Sequence, residues 1–386
     1  MPGVPTPSRP FDVAVVGAGP AGAVCALHLA RQGLRVAVLE KSVPPRYKAC
    51  GGGLTPRARH LLDVDLGGAA ERLCHVVELN LLDAGLAFRV ERDEPLVTMT
   101  MRADLDARLL QAAVDAGAEL VTPCTVRALE RDNRRLELTT SRGTVAARYA
   151  VAADGAASAT ARAAGWGPNP HEAPALESEL RVSPEVYDRF AGSARFDFDT
   201  VARGYAWVFP KRPGHLSVGC GSIRRPARGL KGELERYLGR LGLDAFRHRE
   251  DHGFVIPVAP RSARLARDRV LLAGDAAGLA DPVTCEGISH AVLSGRLAAA
   301  AVAEGFDDPI AVESLYGQRV AAEILGDLRV ARGLARLLYG FPRLRRLVFR
   351  VAGRRLSEAV ADVVSGRRGY ADLLTRTNRR PPAGVS

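Results

Sequence analysis

A glycine-rich turn near the start of the chain separates a short apolar run from a predicted helix. Residues 12–17 are typical of a buried parallel strand, and the turn Gly17-Ala-Gly-Pro-Ala-Gly22 leads into a helix over 23–32. A second apolar run, 35–39, ends in Glu40. This order of strand, glycine turn, helix, strand and acid is that of a dinucleotide-binding βαβ unit. The chain is therefore predicted to fold around a parallel sheet.

Each glycine of that turn has a separate role in this interpretation. Gly17 permits the tight turn, Gly19 lets the backbone approach a pyrophosphate, and Gly22 lets the helix pack on the strand. The amino terminus of the helix offers unpaired N–H groups and a positive dipole to phosphates. Glu40 lies 21 residues after Gly19, where its carboxylate can accept hydrogen bonds from ribose hydroxyls. An ordinary glycine turn is the alternative, and the two strands and the acid argue against it.

A second glycine-rich motif, Gly274-Asp-Ala-Ala-Gly-Leu-Ala-Asp-Pro282, follows another predicted buried strand, and its Asp275 lies 258 residues after Gly17. A carboxylate at such a strand end can hold the ribityl chain of a flavin. The next predicted helix begins at Gly287-Ile288, and its amino terminus can stabilise negative charge on the flavin ring. A free nicotinamide enzyme has no need of this second half-site, so the dinucleotide is predicted to be FAD. Asp154-Gly155 is a third, weaker signal.

The rest of the chain is not a simple alternation of strands and helices. A predicted helix over 102–117 is followed by short strands, and residues 176–223 are mostly strand-like. The predicted fold class is α/β: a Rossmann-like FAD-binding domain, an inserted antiparallel-sheet substrate domain and a helical C-terminal tail. The predicted divisions are FAD-binding parts at 11–80, 102–170 and 265–326, substrate-domain strands at 81–101, the antiparallel-sheet domain at 171–264 and the helical region at 327–386.

Three motifs carry a resemblance to a known family. They are Pro45-Arg-Tyr47-Lys-Ala-Cys50-Gly-Gly-Gly53-Leu-Thr-Pro, Tyr205-Ala-Trp207-Val-Phe209-Pro210-Lys211, and the motif 274–282. Together they resemble the geranylgeranyl reductase family, within the flavoproteins that include p-hydroxybenzoate hydroxylase. The resemblance covers roughly residues 11–300 and implies non-covalent FAD, a split FAD domain of the p-hydroxybenzoate hydroxylase type, and a cavity over the flavin in which isolated double bonds of a prenyl chain are reduced. It also implies that Arg102 lies on the FAD. The family commonly has glycine where this chain has Cys285.

The predicted cofactor is FAD, and the electron donor is NADPH or a reduced electron carrier. Only one nucleotide fingerprint is present, so a nicotinamide donor would bind without a Rossmann unit of its own. No metal site is predicted, because the six cysteines include no C-x-x-C pair and the histidines form no cluster. The residues assigned to the cofactor are Gly17, Gly19, Ala21, Gly22, Glu40, Lys41, Cys50, Gly51, Gly52, Arg102, Val126, Asp154, Gly274, Asp275, Pro282, Gly287 and Ile288.

Reduction of an isolated alkene needs a proton donor as well as a hydride, because the bond has no carbonyl to accept charge. The protein must place the acid across the bond from the flavin, in a dry apolar pocket. Cys50 is the first candidate for that role or for shaping the pocket, since the glycines after it let the backbone pass close to a planar ring. Tyr47 is the second candidate. The alternatives are a small buried hydrophobic cysteine and a tyrosine that only packs.

Three aromatic residues, Tyr205, Trp207 and Phe209, alternate along the chain and so share one face of a predicted strand. They are predicted to line the substrate pocket or to cover the flavin. Cys285 is assigned to the same pocket. The alternative is an aromatic face of a sheet that packs on a core.

The chain carries a net charge of +11, and 50 of its 54 basic residues are arginines. Nine of these fall between Arg329 and Arg355, where there is no acidic residue and where apolar residues recur at helical spacing. This basic tail is predicted either to contact an anionic membrane or to form helices packed on the FAD domain with solvated arginines. Nucleic acid is not a predicted partner, because no recognised motif accompanies the charge. The expected location is cytoplasmic, with membrane association as the open alternative.

These features predict an FAD-dependent oxidoreductase that saturates double bonds of a polyprenyl chain in a lipid, diphosphate, quinone or pigment precursor. Its partner would be an isoprenoid lipid or prenyl diphosphate substrate. The alternative is a flavin-dependent monooxygenase or halogenase of the same fold. A halogenase would be expected to carry Trp-x-Trp-x-Ile-Pro where this chain has Tyr205-x-Trp207-x-Phe209-Pro. An electron carrier to quinone is disfavoured, since no cysteine spacing for an iron–sulfur module is present.

Overall fold

The computed structural model describes residues 10–132, 134–223 and 229–374, so residues 375–386 of the predicted helical region lie outside the described residues. The strands, in chain order, are β1 (Phe11–Val16), β2 (Val36–Leu39), β3 (Gly53–Leu54), β4 (Arg72–Cys74), β5 (Val76–Leu81), β6 (Leu86–Glu91), β7 (Val97–Met99), β8 (Glu119–Val121), β9 (Val126–Arg131), β10 (Leu136–Thr140), β11 (Gly143–Ala152), β12 (Glu172–Arg181), β13 (Ala194–Phe198), β14 (Gly204–Pro210), β15 (His215–Ser222), β16 (His248–Pro257), β17 (Ala266–Arg267) and β18 (Val270–Leu272). The helices are α1 (Pro20–Arg31), α2 (Pro56–Leu61), α3 (Arg102–Asp115), α4 (Ala159–Ala163), α5 (Pro184–Asp188), α6 (Leu230–Leu241), α7 (Ile288–Glu304), α8 (Pro309–Val320), α9 (Gly326–Gly340), α10 (Pro342–Val364) and α11 (Tyr370–Leu374).

Several helices begin where the local sequence provides a start signal. α1 begins at Pro20, three residues before the predicted start, because proline already has the helical φ and lacks only an N–H that would be unpaired there. The hydroxyls of Thr55 and Ser183 accept hydrogen bonds from the first turns of α2 and α5. These helix starts therefore follow from local sequence and depend little on tertiary packing.

The parallel sheet has the strand order β17-β18-β11-β1-β2-β8, and β9 and β10 extend it by antiparallel pairing next to β11. Within it, β1 pairs in parallel with β2 and β11, so that Val13 lies opposite Val36 and Tyr149. Val13, Val36 and Tyr149 are fully buried, as expected for a parallel sheet covered on both faces. α1 packs against α3 and α7 over this sheet. The predicted βαβ unit is thus the centre of the first layer of the fold.

The second layer is a seven-stranded sheet in the order β16-β12-β15-β14-β13-β5-β6. Its pairs are antiparallel except for β5 with β13, where Val77 lies opposite Ala194. A separate three-stranded sheet has the order β3-β7-β4, and its first strand contains Gly53. The predicted combination of a parallel FAD-domain sheet, an antiparallel sheet and a helical tail is confirmed. β16 was not predicted, because its exposed and charged residues alternate with few apolar ones.

The C-terminal helix α10 packs on β5 and β6 of the antiparallel sheet. A Cβ on Gly353 would lie 2.1 Å from the ring of Phe88, so the helix approaches the sheet through this glycine. The prediction that the tail packs on the FAD domain is therefore wrong for α10. Its arginines are also not all solvated, since Arg345 is buried and forms an ion pair with Asp199. Among the described helices, none is long and apolar enough to cross a bilayer.

Candidate functional site

A cavity of about 1460 Å³ lies where the carboxyl ends of the parallel strands face the antiparallel sheet. Ligands bind at this end of open α/β sheets. The walls are formed by the first glycine turn, the segment 46–53, β14, the start of α7, and α9 and α10. The volume exceeds the roughly 300–1,000 Å³ of ordinary small-molecule pockets. It is therefore large enough for a dinucleotide and a second molecule.

The first glycine turn has a closed side and an open side. A Cβ on Gly17, which has φ +99°, would lie 2.5 Å from the carbonyl oxygen of Ala153, and one on Gly22 would lie 1.9 Å from that of Gly17. Both glycines are therefore needed for packing of the protein itself. A Cβ on Gly19 would approach only the Arg102 and Arg46 guanidinium groups, at 3.8 and 3.9 Å. The space over Gly19 is thus open toward the cavity.

The guanidinium groups beside Gly19 are held by buried acids. Arg102 donates to both oxygens of Asp106, at 2.8 and 2.9 Å, and Arg46 donates to the same carboxylate at 3.0 Å. Although burial disfavours its charge, the neighbouring Asp106 raises the pKa of Arg102, so that it stays cationic. Two fixed cations over an open glycine turn suit a pyrophosphate, which guanidinium groups bind in a bidentate manner.

Glu40 is buried at the end of β2, and its carboxylate is oriented by the backbone. Its Oε2 accepts a hydrogen bond from the Ala18 amide at 2.8 Å, and its Oε1 accepts one from Ser42 at 3.0 Å. Arg46 lies 3.4 Å from Oε1. A carboxylate has about four lone-pair sites, so Glu40 can still accept a hydroxyl from the cavity that it lines.

The second glycine motif and the amino terminus of α7 lie at the other end of the candidate cofactor site. Among the described residues, the Asp275 carboxylate has no hydrogen-bond partner, and burial raises its pKa. A Cβ on Gly287, the residue before α7, would lie 3.5 Å from Asp275 Oδ1. Gly287 and Ile288 line the cavity, so the amino terminus of α7 faces it. An unpaired carboxylate beside a helix amino terminus fits the polar chain and the electron-rich edge of a flavin.

The other residues assigned to the cofactor divide into two groups. Ala21, Lys41, Cys50, Gly51, Gly52, Val126 and Asp154 line the cavity with the residues described above. Gly22, Gly274 and Pro282 are not among the lining residues. Gly274, with φ +58°, would bring a Cβ to 3.0 Å from that of Ala21, so it has a packing role similar to that of Gly22. The lining residues from Gly19 to Asp275 therefore fit FAD along the whole length of the cofactor.

The two predicted acids, Tyr47 and Cys50, lie on the cavity wall and share one partner. The buried Glu177 of β12 accepts hydrogen bonds through Oε1 from the Tyr47 hydroxyl at 2.6 Å and from the Cys50 amide at 2.9 Å. The Cys50 sulfur accepts a hydrogen bond from Gly52 at 3.4 Å. Glu177 thus joins the segment 46–53 to the antiparallel sheet.

A buried ammonium group also holds this segment. The Lys211 side chain is fully buried, and its ammonium donates to the carbonyl oxygens of Gly51 and Thr100. Sequence reasoning missed both Glu177 and Lys211. The available signals were a glutamate inside a strand-like segment and one of only four lysines at the end of the aromatic motif.

The aromatic side chains of β14 form a wall of the cavity. Tyr205, Trp207 and Phe209 all line it and are all buried. A Cβ on Gly51 would lie 2.9 Å from the Phe209 ring, and one on Gly219 would lie 2.2 Å from the Trp207 ring. Glycines in both neighbouring segments therefore allow these rings their positions. The Trp207 Nε1 is buried and has no hydrogen-bond partner among the described residues, so it can donate to a bound molecule.

Cys285 has the backbone conformation that glycine normally supplies. Its φ is +56°, in the left-handed region, which explains why the resembling family commonly has glycine there. Its side chain lines the cavity, and burial, with a contribution from the nearby Asp281 carboxylate, raises the pKa of the thiol to about 12. The thiol is therefore neutral at physiological pH, as expected of a wall residue.

The loop 281–287 before α7 is held by three tyrosines from separate elements. Tyr205 of β14 and Tyr339 of α9 donate to backbone carbonyls of the loop, and Tyr370 of α11 donates to the Asp281 carboxylate at 2.8 Å. The C-terminal helices thereby position the amino end of α7. The tail is part of the site.

Comparison with known proteins identifies the family. A sequence profile described as an FAD binding domain matches residues 10–188. Menaquinone reductase of Mycobacterium tuberculosis is 31% identical, with 96% of this chain and 98% of the relative covered. Geranylgeranyl diphosphate reductase of Rhodobacter capsulatus is also 31% identical, over 75% of this chain and 74% of that protein. The chain belongs to the geranylgeranyl reductase family. It is an FAD-dependent oxidoreductase, as predicted.

Solved structures agree with this family in fold. A geranylgeranyl bacteriochlorophyll reductase-like protein from Thermoplasma acidophilum superposes with a TM-score of 0.74 at 23% identity, covering 86% of this chain and 88% of that one. A flavin-dependent brominase superposes with a TM-score of 0.71 at 19% identity, covering 93% and 94%. At these identities the likeness extends to the fold alone, so the geranylgeranyl reductase family and the halogenases share one architecture.

Proposed function

We propose that this member of the geranylgeranyl reductase family reduces isolated carbon–carbon double bonds in a polyprenyl chain. The observation that carries the proposal is the continuity of the cavity. It extends from the residues that would hold FAD past the aromatic wall of β14 to apolar side chains of α9 and α10, among them Leu334, Leu338 and Phe349. A long apolar chain with no charged group suits such a lining, which also excludes water. The names of the two relatives support a substrate with a prenyl chain.

The residues of this chain would divide the work of that reaction. FAD, when bound and reduced, supplies a hydride. Arg102, Glu40 and Asp275 would hold the cofactor, and Trp207 and Phe209 would hold the prenyl chain against it. Tyr47 and Cys50 are the candidate proton donors, because both line the cavity that would hold the two ligands. NADPH or a reduced electron carrier is the proposed electron donor.

An anaerobic turnover experiment tests this function. The purified holoenzyme is reduced with dithionite, and a geranylgeranyl lipid, geranylgeranyl diphosphate or menaquinone is added in separate samples. We expect reoxidation of the flavin absorbance in the absence of oxygen and, after any quinol has been reoxidised in air, a product whose prenyl chain is heavier by pairs of hydrogen atoms. A flavin that stays reduced with all three compounds and reoxidises only with air would contradict the proposal. Substrate-dependent oxygen uptake would then favour a monooxygenase.

The same cavity opens at an exposed apolar patch, which we define as Leu337, Phe341, Leu344, Leu347, Val348 and Val351 at the α9–α10 junction. Of these, Leu337, Leu344 and Val348 also line the cavity, so the patch surrounds its mouth. Exposed arginines flank the patch at 336, 343, 350, 354 and 355. Apolar residues ringed by arginine complement the acyl boundary and the anionic headgroups of a bilayer. We propose that this junction patch contacts an anionic membrane, from which the prenyl substrate enters.

Replacement of two patch residues that do not line the cavity tests this contact. In the double variant Phe341→Glu/Leu347→Glu, the favourable free energy of burying these side chains in the membrane should fall by about 3 kcal/mol or more. The variant should therefore bind vesicles at least about 100-fold more weakly. The measurement is cosedimentation with phosphatidylglycerol vesicles. Ile310→Glu is the matched control, because Ile310 is 78% exposed on α8 and away from the patch. Equal sedimentation of all three proteins would show that the patch has no part in membrane contact.

A further inference from the structure

Glu177 and Tyr47 form a carboxyl–phenol pair behind the cavity wall. Glu177 is fully buried, and the hydrogen bond from the Tyr47 hydroxyl to its Oε1 is 2.6 Å long. Its Oε2 is also buried and has no hydrogen-bond partner among the described residues. Tyr47 lines the cavity, whereas Glu177 does not. A proton held by Glu177 would therefore reach the cavity through the Tyr47 hydroxyl.

This pair has two arrangements that differ by one proton. When Glu177 is ionised, the Tyr47 hydroxyl donates to it, as in the geometry described above, and no proton of Tyr47 points to the cavity. When Glu177 is protonated, it can donate to the Tyr47 oxygen, and the phenol proton becomes free to turn toward the cavity. The protonation state of Glu177 thus decides whether Tyr47 is available as an acid.

The groups around Glu177 come from four elements. Burial raises the pKa of Glu177; the Tyr47 hydrogen bond opposes this rise, the Glu179 carboxylate on the same strand adds to it, and the Cys50 amide and the Lys211 ammonium oppose it. His252 lies opposite Glu177 in the β12–β16 pairing, and its ring is 4.1 Å from that of Tyr47. The His252 side chain is 29% exposed, and Tyr47 itself is 42% exposed, so both rings have solvent-accessible surface.

We propose that Glu177 is the proton reservoir of the site and that it acts through Tyr47. The inference rests on the proposed function. Reduced FAD, held by Arg102, Glu40 and Asp275, would supply the hydride for one new C–H bond, and the π-electron pair of the alkene would take the Tyr47 proton to form the other. The Tyr47 oxygen recovers a proton from Glu177, which becomes a carboxylate. Water, which can reach the accessible surface of Tyr47 and His252, returns the proton to Glu177 before the next turnover.

The variant Glu177→Gln tests the reservoir, because glutamine can still accept the two hydrogen bonds of Oε1 but cannot supply a proton. We expect kcat for prenyl reduction to fall about 100-fold, with KM and FAD content within two-fold of wild type. In the wild type, the protonated form is the active one, so kcat should be highest at low pH and fall as pH rises through the pKa of Glu177. This falling limb of the pH profile of kcat should be absent in Glu177→Gln.

A readout independent of turnover is infrared spectroscopy of the resting holoenzyme. Because burial also raises the pKa of Asp275, Asp281 and Glu286, the readout is the difference spectrum of wild type minus Glu177→Gln, which should show the carbonyl band of a neutral carboxylic acid that disappears as the pH rises. Tyr47→Phe should retain the band but lose about the same kcat. The double variant should show no further loss, because the two residues act in one relay.

Glu179→Gln is the matched control, since Glu179 is on the same strand and face but pairs with His215. Removal of its charge should move the pH limb to lower pH and leave the kcat at low pH unchanged. Wild-type kcat in Glu177→Gln, or a lower kcat with the pH limb retained, would overturn the proposal and leave Glu177 a structural residue. If the wild type reduces no prenyl chain, the proposed function fails, whereas the infrared titration still decides whether Glu177 carries the proton.

Discussion

Gly19→Val is expected to give a folded protein that cannot retain FAD. The protein itself has room for the new side chain, because a Cβ at this position would contact only the ends of two arginine side chains, at 3.8 and 3.9 Å. The cofactor does not have that room, since its pyrophosphate must approach the backbone of the turn. A displaced pyrophosphate would lose two charge-assisted hydrogen bonds, which together contribute about 3 kcal/mol or more. The FAD affinity should therefore fall at least about 100-fold.

The measurement is the ratio of flavin to protein after gel filtration, together with the thermal unfolding of the apoprotein. Two other glycines provide the contrast. Gly22→Val should not fold, because its Cβ would lie 1.9 Å from the carbonyl oxygen of Gly17. Gly68→Val should keep both fold and FAD, since nothing lies within 4 Å of its Cβ position and it is away from the cavity. A stoichiometric flavin content in Gly19→Val would contradict the assignment of the pyrophosphate site.

Lys211→Met is expected to cause a large loss of stability. The buried ammonium satisfies the carbonyl oxygens of Gly51 and Thr100, and methionine would leave both without a donor. Each buried, unsatisfied carbonyl costs about 1–3 kcal/mol, so the free energy of unfolding should fall by about 2–6 kcal/mol. Because Gly51 lies beside Cys50 in the cavity wall, FAD retention should weaken as well.

Urea unfolding followed by circular dichroism measures this effect. Lys231→Met is the control, since Lys231 is exposed on α6 and its loss should change the free energy of unfolding by less than about 0.5 kcal/mol. Replacement of a buried ion pair by apolar residues can be neutral when both partners are replaced. Here the partners are backbone carbonyls, which no substitution removes. An unfolding free energy equal to that of the wild type would show that water or another donor replaces the ammonium.

Much of the first layer could be predicted because its signals are local. The strand, glycine turn and helix of 11–31 lie within one continuous stretch, and the structure has β1 and α1 there. The alternation of Tyr205, Trp207 and Phe209 placed them on one face, and β14 confirms the strand. Periodicity and turn chemistry operate over a few residues, so a single sequence records them.

The partners of those elements could not be predicted in the same way. Parallel pairing of β5 with β13 places Val77 opposite Ala194. Nothing in the sequence of either strand indicates which strand it pairs with. The packing of α10 on the antiparallel sheet depends on Gly353 meeting Phe88, residues that are far apart along the chain. Cys285 could be recognised as a departure from glycine, but only its φ of +56° shows which property of glycine the position requires.

The sequence alone predicted the dinucleotide-binding unit, the flavin half-site at Asp275 and the candidate acids Tyr47 and Cys50, because each of them lies within a short motif. The tertiary structure decided which groups contact them. Glu177 reaches Tyr47 across 130 residues and Lys211 reaches Gly51 across 160. A buried charge is stable only where the fold brings it polar partners. The location of such charges is therefore a property of the assembled sheets, and the chemistry of this site depends on it.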